Sequence, residues 1–388
     1  MNGAAAKGDF PYPASSELWG VVTAVQANYY WVNFHGITAE ALRQPLEALP
    51  VSPRARPTLL CTRRARLKKT GQQVMVGDWV RVEEPDWEGH RGAIAEVATR
   101  QTVLDRPPIA NVNQILLVFA LAEPTLDPQQ LSRFLVKAES TGLDILLCLN
   151  KQDLVNPETC HHWQRRLQQW GYEALVISVQ QGTARHTLAP RLQGHVTVVS
   201  GPSGVGKSSL INHLIPQASL RTAAVSGKLG RGRHTTRHVE LFELPQGGFL
   251  ADTPGFNQPD LPCSAHQLGH YFPEIRQRLV GQACQFNNCL HRDEPGCGLE
   301  TDWERYDYYL AMLDEITLES GLTQRREAED SLKVKVGALG QIHQEPLLAA
   351  KKYRRVSRRR QRQGLEHLRY DLPETLEELE DLDDLEGE

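Results

Sequence analysis

Two clusters in this 388-residue chain have residue types and spacings suited to chemistry. The first, Gly201-Pro202-Ser203-Gly204-Val205-Gly206-Lys207-Ser208, fits G-x-x-x-x-G-K-S/T without a mismatch. A phosphate chain carries several negative charges and needs many donors at once. Glycines at 201, 204 and 206 let backbone N–H groups converge on it, with a helix N-terminus behind them. Lys207 can then reach the β- and γ-phosphates, and Ser208 offers a hydroxyl to Mg²⁺. The second cluster is Cys284-x₄-Cys289-x-His291-x₅-Cys297. Three thiolates and one imidazole suit a closed tetrahedral zinc site, structural because no ligand position is left for water. Cys61, Cys148, Cys160 and Cys263 are scattered, which suits a reducing, cytoplasmic setting better than a disulfide framework.

The base is specified elsewhere. Asn150-Lys151-Gln152-Asp153 follows an apolar run, Ile145–Leu149, expected to be a buried strand. A carboxylate at Asp153 accepts from both N1–H and the 2-amino group of guanine, whereas adenine offers neither donor and would leave the charge desolvated and unpaired. Asn150 and the Lys151 stem are expected to frame the base. Ser178 closes the next strand and suits a second guanine loop, although Val179 stands where alanine is usual. Beyond the phosphate loop, Asp252-Thr253-Pro254-Gly255 ends another strand. There Asp252 would hold Mg²⁺ through water and the Gly255 N–H would sense the γ-phosphate. Thr235 or Thr236 would close on the metal from the other side. Phe256 occupies the place where many GTPases carry the glutamine that positions the attacking water. His234, beside the threonines, is the best substitute in the chain, against the blander possibility of a solvated loop side chain.

These motifs need elements to hold them. From about residue 110, apolar strands (Ile115–Ala120, Ile145–Leu149, Leu175–Ser178, Val196–Ser200) alternate with helices expected at 128–140 and 157–170. That pattern predicts a doubly wound, mostly parallel α/β sheet. Residues 18–105 read instead as short strands, among them LWGVVTAVQANYYWVNF, VMVGDWVRVEE and RGAIAEVATR, suggesting a small OB-type β-barrel. Tyr29, Tyr30, Trp31 and Phe34 could supply a stacking face, but alternation must send about half of them into the core. The basic stretch from Arg54 to Lys69 is expected to hang from the barrel as a loop. Around the cysteines, 302–318 and 322–332 read as two helices. The expected divisions are a disordered 1–17, an OB-type RNA-binding barrel at 18–105, a nucleotide domain at 106–262, a small α zinc domain at 263–335 and a flexible, basic then acidic tail at 336–388.

Charge is unevenly distributed. Residues 371–388 hold ten acidic side chains and no basic one, which leaves 43 basic against 37 acidic residues over 1–370. Seven Lys/Arg lie between Arg54 and Lys69, and eight between Lys351 and Arg362. Two basic stretches on one chain point to a polyanionic partner. The acidic tail is expected to screen the second of them. No apolar run approaches a membrane span and the start lacks a signal-peptide pattern, so a membrane partner is not expected.

The motif order is unusual, because N-K-x-D and the Ser178 loop precede the phosphate loop. A doubly wound sheet with neighbouring termini can be permuted without moving residues in space. With VGDWV, ANVNQILLVFA, GPSGVGKSSL, GRGRHTT and DTPGF in this order, residues 18–335 resemble the circularly permuted bacterial GTPases called ribosome small-subunit-dependent GTPase A. The resemblance implies GTP/GDP with Mg²⁺, one structural Zn²⁺ and slow turnover that the small ribosomal subunit stimulates; a monomer is the expected state. It also implies contacts with rRNA and a catalytic role for the histidine at 234. The competing classes are a P-loop kinase or ATPase, opposed by N-K-x-D, and a non-hydrolysing RNA scaffold, opposed by Asp252 and the switch threonines.

Overall fold

The computed structural model describes residues 18–34, 58–105, 108–216, 239–252, 260–330, 332–336 and 342–346. The aromatic, β-branched run near the start divides into β1 (Trp19–Gln26) and β2 (Tyr29–Asn33). Alternation along β2 buries Tyr30 and Val32 and turns Tyr29 and Trp31 outward, while Phe34 joins the core. Next come β3 (Thr58–Arg63), α1 (Ala65–Lys69), β4 (Trp79–Asp86) and β5 (Arg91–Val97). The strands run in the order β1-β2-β3-β5-β4, with β4 returning to pair with β1, so the sheet closes into a five-stranded barrel. The described part of the basic stretch is therefore not a loop. Leu59 and Cys61 alternate into the barrel core, and Leu67 pins α1 against it, so apolar spacing prevails over the surrounding charge. Residues 54–57 lie outside the described residues. Burial pushes the Cys61 thiol up to about 12, which leaves it unreactive. In the VGDWV turn, fully buried Asp78 accepts from Arg100 at 2.7 and 2.9 Å and from the Met75 N–H at 2.8 Å.

A two-stranded ribbon, β6 (Val103–Asp105) with β7 (Pro108–Ala110), leads into the α/β layer. There β8 (Gln114–Ala120) is buried at all seven positions, as a strand covered on both faces must be. It is followed by α2 (Pro128–Glu139), β9 (Asp144–Asn150), α3 (Pro157–Gln169), β10 (Ala174–Val176), α4 (Thr183–Leu192), β11 (Val196–Ser200), α5 (Lys207–Leu214), β12 (Glu240–Glu243) and β13 (Phe249–Asp252). Asp127 and Asn156 cap α2 and α3, each followed by proline at the first helical position. The strand order is β10-β9-β8-β11-β13-β12, parallel except for β12. Leu131, Phe134 and Leu167 of α2 and α3 cover one face, while Leu188, Leu210 and Ile211 of α4 and α5 cover the other. This is the doubly wound layer expected. Its edge strand β12 also pairs antiparallel with β1, Ala24 opposite Glu240, so barrel and α/β layer share one eleven-stranded sheet.

Downstream, α6 (Ala265–Leu268), α7 (Pro273–Arg278) and α8 (Tyr306–Asp330) enclose Phe272, Ile275, Trp303 and Tyr309, together with Val136 of α2. The two helices expected at 302–318 and 322–332 are one. Glu319-Ser320-Gly321 continues the helix, since an interior glycine costs only about 1 kcal/mol against alanine. The chain divides into two compact units, Met1–Thr317 and Leu318–Glu388. Within the second, β14 (Leu332–Val336) pairs antiparallel with β15 (Ile342–Pro346), so a hairpin occupies the start of the stretch expected to be flexible. The period-two pattern Leu-Lys-Val-Lys-Val accounts for a strand there.

Candidate functional site

The carboxyl ends of β8, β9 and β11 meet at one edge of the sheet, where the expected phosphate and base loops adjoin. Leaving β11, the chain passes through Gly201 at φ +140°, where a Cβ would stand 2.0 Å from the Val118 carbonyl oxygen. At Gly206 (φ +97°) a Cβ would meet the Asn150 amide nitrogen at 2.6 Å. Side chains are thus excluded at both ends of the loop, whose intermediate residues Pro202, Ser203, Gly204 and Val205 lead to α5. Lys207 and Ser208 occupy the first turn of α5. The Lys207 ammonium donates to the Gly201 and Pro202 carbonyls at 2.8 and 2.6 Å, which holds the charge over the loop.

Asn150 does something the sequence did not suggest. Its side chain is buried, donating to the Val205 carbonyl at 2.9 Å and accepting from the Val179 N–H at 3.3 Å. It therefore ties the phosphate loop to the loop that follows β10. Lys151 sits at φ +63° and its ammonium donates to the Glu123 carbonyl. Gln152 begins a short 3-10 turn and donates its N–H to the Ile177 carbonyl at 3.1 Å. Ser178 is fully buried; its hydroxyl donates to the Asp153 carboxylate at 2.5 Å and accepts from the Gln181 N–H at 3.0 Å. One oxygen of Asp153 is thereby fixed in direction. Val179 contributes through its backbone, so the absent alanine costs nothing in this contact.

Asp252 ends β13, the neighbour of β11, which brings its backbone beside the phosphate loop. His234, Thr235, Thr236 and Gly255 lie outside the described residues.

The four expected metal ligands converge. Their ligand atoms lie within 4.8 Å of one another. The Nδ1 of His291 stands 3.6, 3.7 and 3.5 Å from the sulfurs of Cys284, Cys289 and Cys297. Zn–S and Zn–N bonds of roughly 2.3 and 2.0–2.1 Å at tetrahedral angles require an S···N separation of about 3.6 Å. The donor set therefore fits zinc, with Nδ1 as the ligating nitrogen. The Gly298 and Leu299 N–H groups donate to the Cys284 and Cys297 sulfurs at 3.4 and 3.5 Å, a pattern that stabilises thiolate. Without a metal, burial pushes the Cys289 and Cys297 thiols up and His291 down, so a metal entering the site must displace thiol protons. Glu294 accepts from the Leu290 and Arg292 N–H groups at 3.0 and 2.9 Å and folds the knuckle. Tyr309 and Tyr306 of α8 donate to the Leu290 and His291 carbonyls.

This zinc module is seated on α2 and α3. Arg305, fully buried, pairs with Glu274 at 2.7 and 2.5 Å and lies 4.8 and 4.7 Å from the ring centroids of Trp170 and Phe272. Glu304 accepts from the Trp170 indole at 2.8 Å and pairs with Arg166. Arg133 of α2 grips Glu315 of α8 with two hydrogen bonds, and Lys137 pairs with Asp260. Nothing in the sequence announced this interface, because its partners lie up to 182 residues apart.

A family model described as RsgA GTPase matches residues 97–262. "Small ribosomal subunit biogenesis GTPase RsgA" of Trichormus variabilis is 59% identical over 365 residues, covering 91% of this chain and 97% of that protein. The Synechocystis protein of the same name is 52% identical over 363 residues, with 89% and 94% covered. Among solved structures, YjeQ from Thermotoga maritima aligns with a TM-score of 0.61 at 28% identity, covering 78% of this chain and 99% of that one. YloQ, described as a circularly permuted GTPase, aligns with a TM-score of 0.61 at 27% identity, covering 80% and 99%.

Proposed function

The chain belongs to the RsgA GTPase family, and from that premise we propose that it binds the small ribosomal subunit late in assembly and acts as a maturation and release checkpoint. Its enzymatic activity is the hydrolysis of GTP. Carrying the reading is the Asn150 bridge, which joins a guanine-selective loop to a phosphate loop although the two are permuted in the chain. Asp153, oriented by Ser178, accepts from N1–H and the 2-amino group of guanine. The phosphate-loop N–H groups and Lys207 gather the β- and γ-phosphates. Ser208 and Asp252 are the residues that would hold Mg²⁺, which supplies charge neutralisation at the phosphate oxygens when bound. Thr235 or Thr236 would close on Mg²⁺ from the other side, the Gly255 N–H would sense the γ-phosphate, and His234 would position the attacking water. With Phe256 in the usual glutamine position, turnover by the free protein is slow and the subunit completes the site. The Cys284, Cys289, His291 and Cys297 cluster holds a structural zinc. The barrel and zinc module grip rRNA in the GTP form, and the GDP form leaves. The protein acts as a cytoplasmic monomer.

Phosphate release from GTP and from ATP, with and without purified small ribosomal subunits, tests this. Slow GTP turnover that rises many-fold with the subunit, and no turnover of ATP, is the expected result. GTP binding without stimulation would shift the weight to a guanine-nucleotide scaffold with another activator.

A further inference from the structure

The barrel carries an outward row that its own core does not need. Residues opposite one another on adjacent strands share a face, so Arg91, Leu60, Trp31, Ala24 and Glu240 form one row across β5, β3, β2, β1 and β12. In the next row Tyr29 stands beside Thr62 and Gln26. Two large rings are thus exposed side by side on the β2–β3 face, Tyr29 at 52% and Trp31 at 37% of full exposure, while the alternate rings Tyr30 and Phe34 are buried. An exposed aromatic pair on a folded domain suits a partner with flat apolar faces.

Charge indicates which partner. Beyond the Thr62 end of the face the chain enters α1, where Leu67 is buried and Arg66, Lys68 and Lys69 are exposed. Arg64 at the start of this turn is engaged by Glu84 at 2.6 Å, and Arg63 donates to the Gln72 carbonyl, so α1 is held in place. Arg91 adds a cation on the β5 flank, and Glu240 marks the opposite, β12 flank. Flat rings with cations at one end match a single-stranded nucleic acid, whose unpaired bases stack while its phosphates follow the cations. A duplex hides its base faces and would use only the cations.

We propose that Tyr29 and Trp31 stack on unpaired bases of RNA, whose backbone runs over the Arg66–Lys68–Lys69 turn. This deepens the proposed rRNA-binding role of the barrel and rests on it. The test is fluorescence anisotropy of the full-length protein with a labelled, unstructured 12-nucleotide RNA and with a duplex of equal length, across a salt series. Trp31→Ala should weaken single-strand binding roughly tenfold or more without changing its salt slope, and Tyr29→Ala should weaken it less. Trp31→Phe should restore most of the loss. Arg66→Gln with Lys68→Gln and Lys69→Gln should flatten the salt slope for both RNAs. Retained GTP affinity identifies folded variants. The proposal is overturned if Trp31→Ala changes single-strand affinity less than twofold, or weakens the duplex equally. It is also overturned if the variant loses affinity only for whole subunits, since the face would then seat a protein. Subunit-stimulated turnover of the wild-type protein is a separate readout, so its failure would remove the ribosomal reading and leave the stacking result standing.

Discussion

The nucleotide cradle and the zinc cluster are built in opposite ways. The cradle draws residues 118 to 207 from the ends of several strands and fixes them with backbone geometry and hydrogen bonds, as at Gly201, Gly206 and Asn150. The zinc cluster draws four side chains from fourteen consecutive residues, and its 3.5–3.7 Å separations suit a shared metal. A site built from strands holds its shape without its ligand, because the hydrophobic sheet core sustains it. A site built from one irregular segment gains much of its shape from the ion. Damage to one should therefore leave the other largely intact.

The largest separation should come from Cys289→Ser or chelation. Zinc content should fall from one equivalent to near zero, and residues 284–297 should lose hydrogen-exchange protection. Binding energies of about 10–16 kcal/mol in small zinc peptides set the scale of what is removed. GTP affinity should change less than threefold; a collapse of GTP binding would show that the cradle depends on the metal. Chelation should also expose Cys284, Cys289 and Cys297 to alkylation while buried Cys148 stays unreactive.

Next in size is Arg305→Met. It strands the Glu274 carboxylate in a buried interface and should cost about 3–5 kcal/mol in denaturant unfolding of the zinc-loaded protein. Adding Glu274→Gln should recover most of that. If the double variant is as unstable as the single one, the ion pair is not what holds the zinc module on α2 and α3.

Asp153→Asn should lower GTP affinity roughly 10- to 100-fold, the worth of charge-assisted hydrogen bonds. It should raise affinity for xanthosine triphosphate, whose 2-carbonyl can accept from the new amide. Zinc content should stay at one equivalent. Unchanged base preference would mean that Asp153 does not read the base.

The smallest effect concerns Glu315. The Arg133 guanidinium holds this carboxyl below the usual glutamate range, although the side chain remains partly exposed. Because the folded-state value is depressed, its stabilisation is present above the ordinary range and is lost as pH falls through the lowered value. Arg133→Ala should therefore narrow the stability gap between neutral and acidic pH by under about 1 kcal/mol. An identical acid limb in the variant would mean that this pair contributes nothing measurable.

What the sequence made legible was local. The phosphate loop, N-K-x-D and the zinc ligands are short motifs whose chemistry follows from spacing. Central strands of the α/β layer carry uninterrupted apolar runs such as Ile115–Ala120. What escaped was either masked by charge or distributed along the chain. The basic residues around Leu59, Cys61 and Leu67 concealed β3 and α1. The gap at 319–321 between the two expected helices is spanned by α8. The bonds of Asn150 to Val205 and Val179 were not legible, because they exist only once three separate loops are assembled. The Arg305–Glu274 anchor is invisible for the same reason: two unremarkable charges become a buried pair only when α7 and α8 close over Trp170.

The pairing of β1 with β12 has a consequence for handling the protein. β12 is the outermost strand of the α/β layer, and beyond β13 its other neighbour is the barrel. Strand edges left open recruit further strands, including those of identical molecules. Through the Ala24–Glu240 pair the barrel closes the start of that edge, as a selvedge closes the margin of a fabric. A fragment trimmed to the nucleotide domain alone would carry a raw edge at Glu240–Glu243, and poor solubility in it would report the missing seam rather than a misfolded cradle.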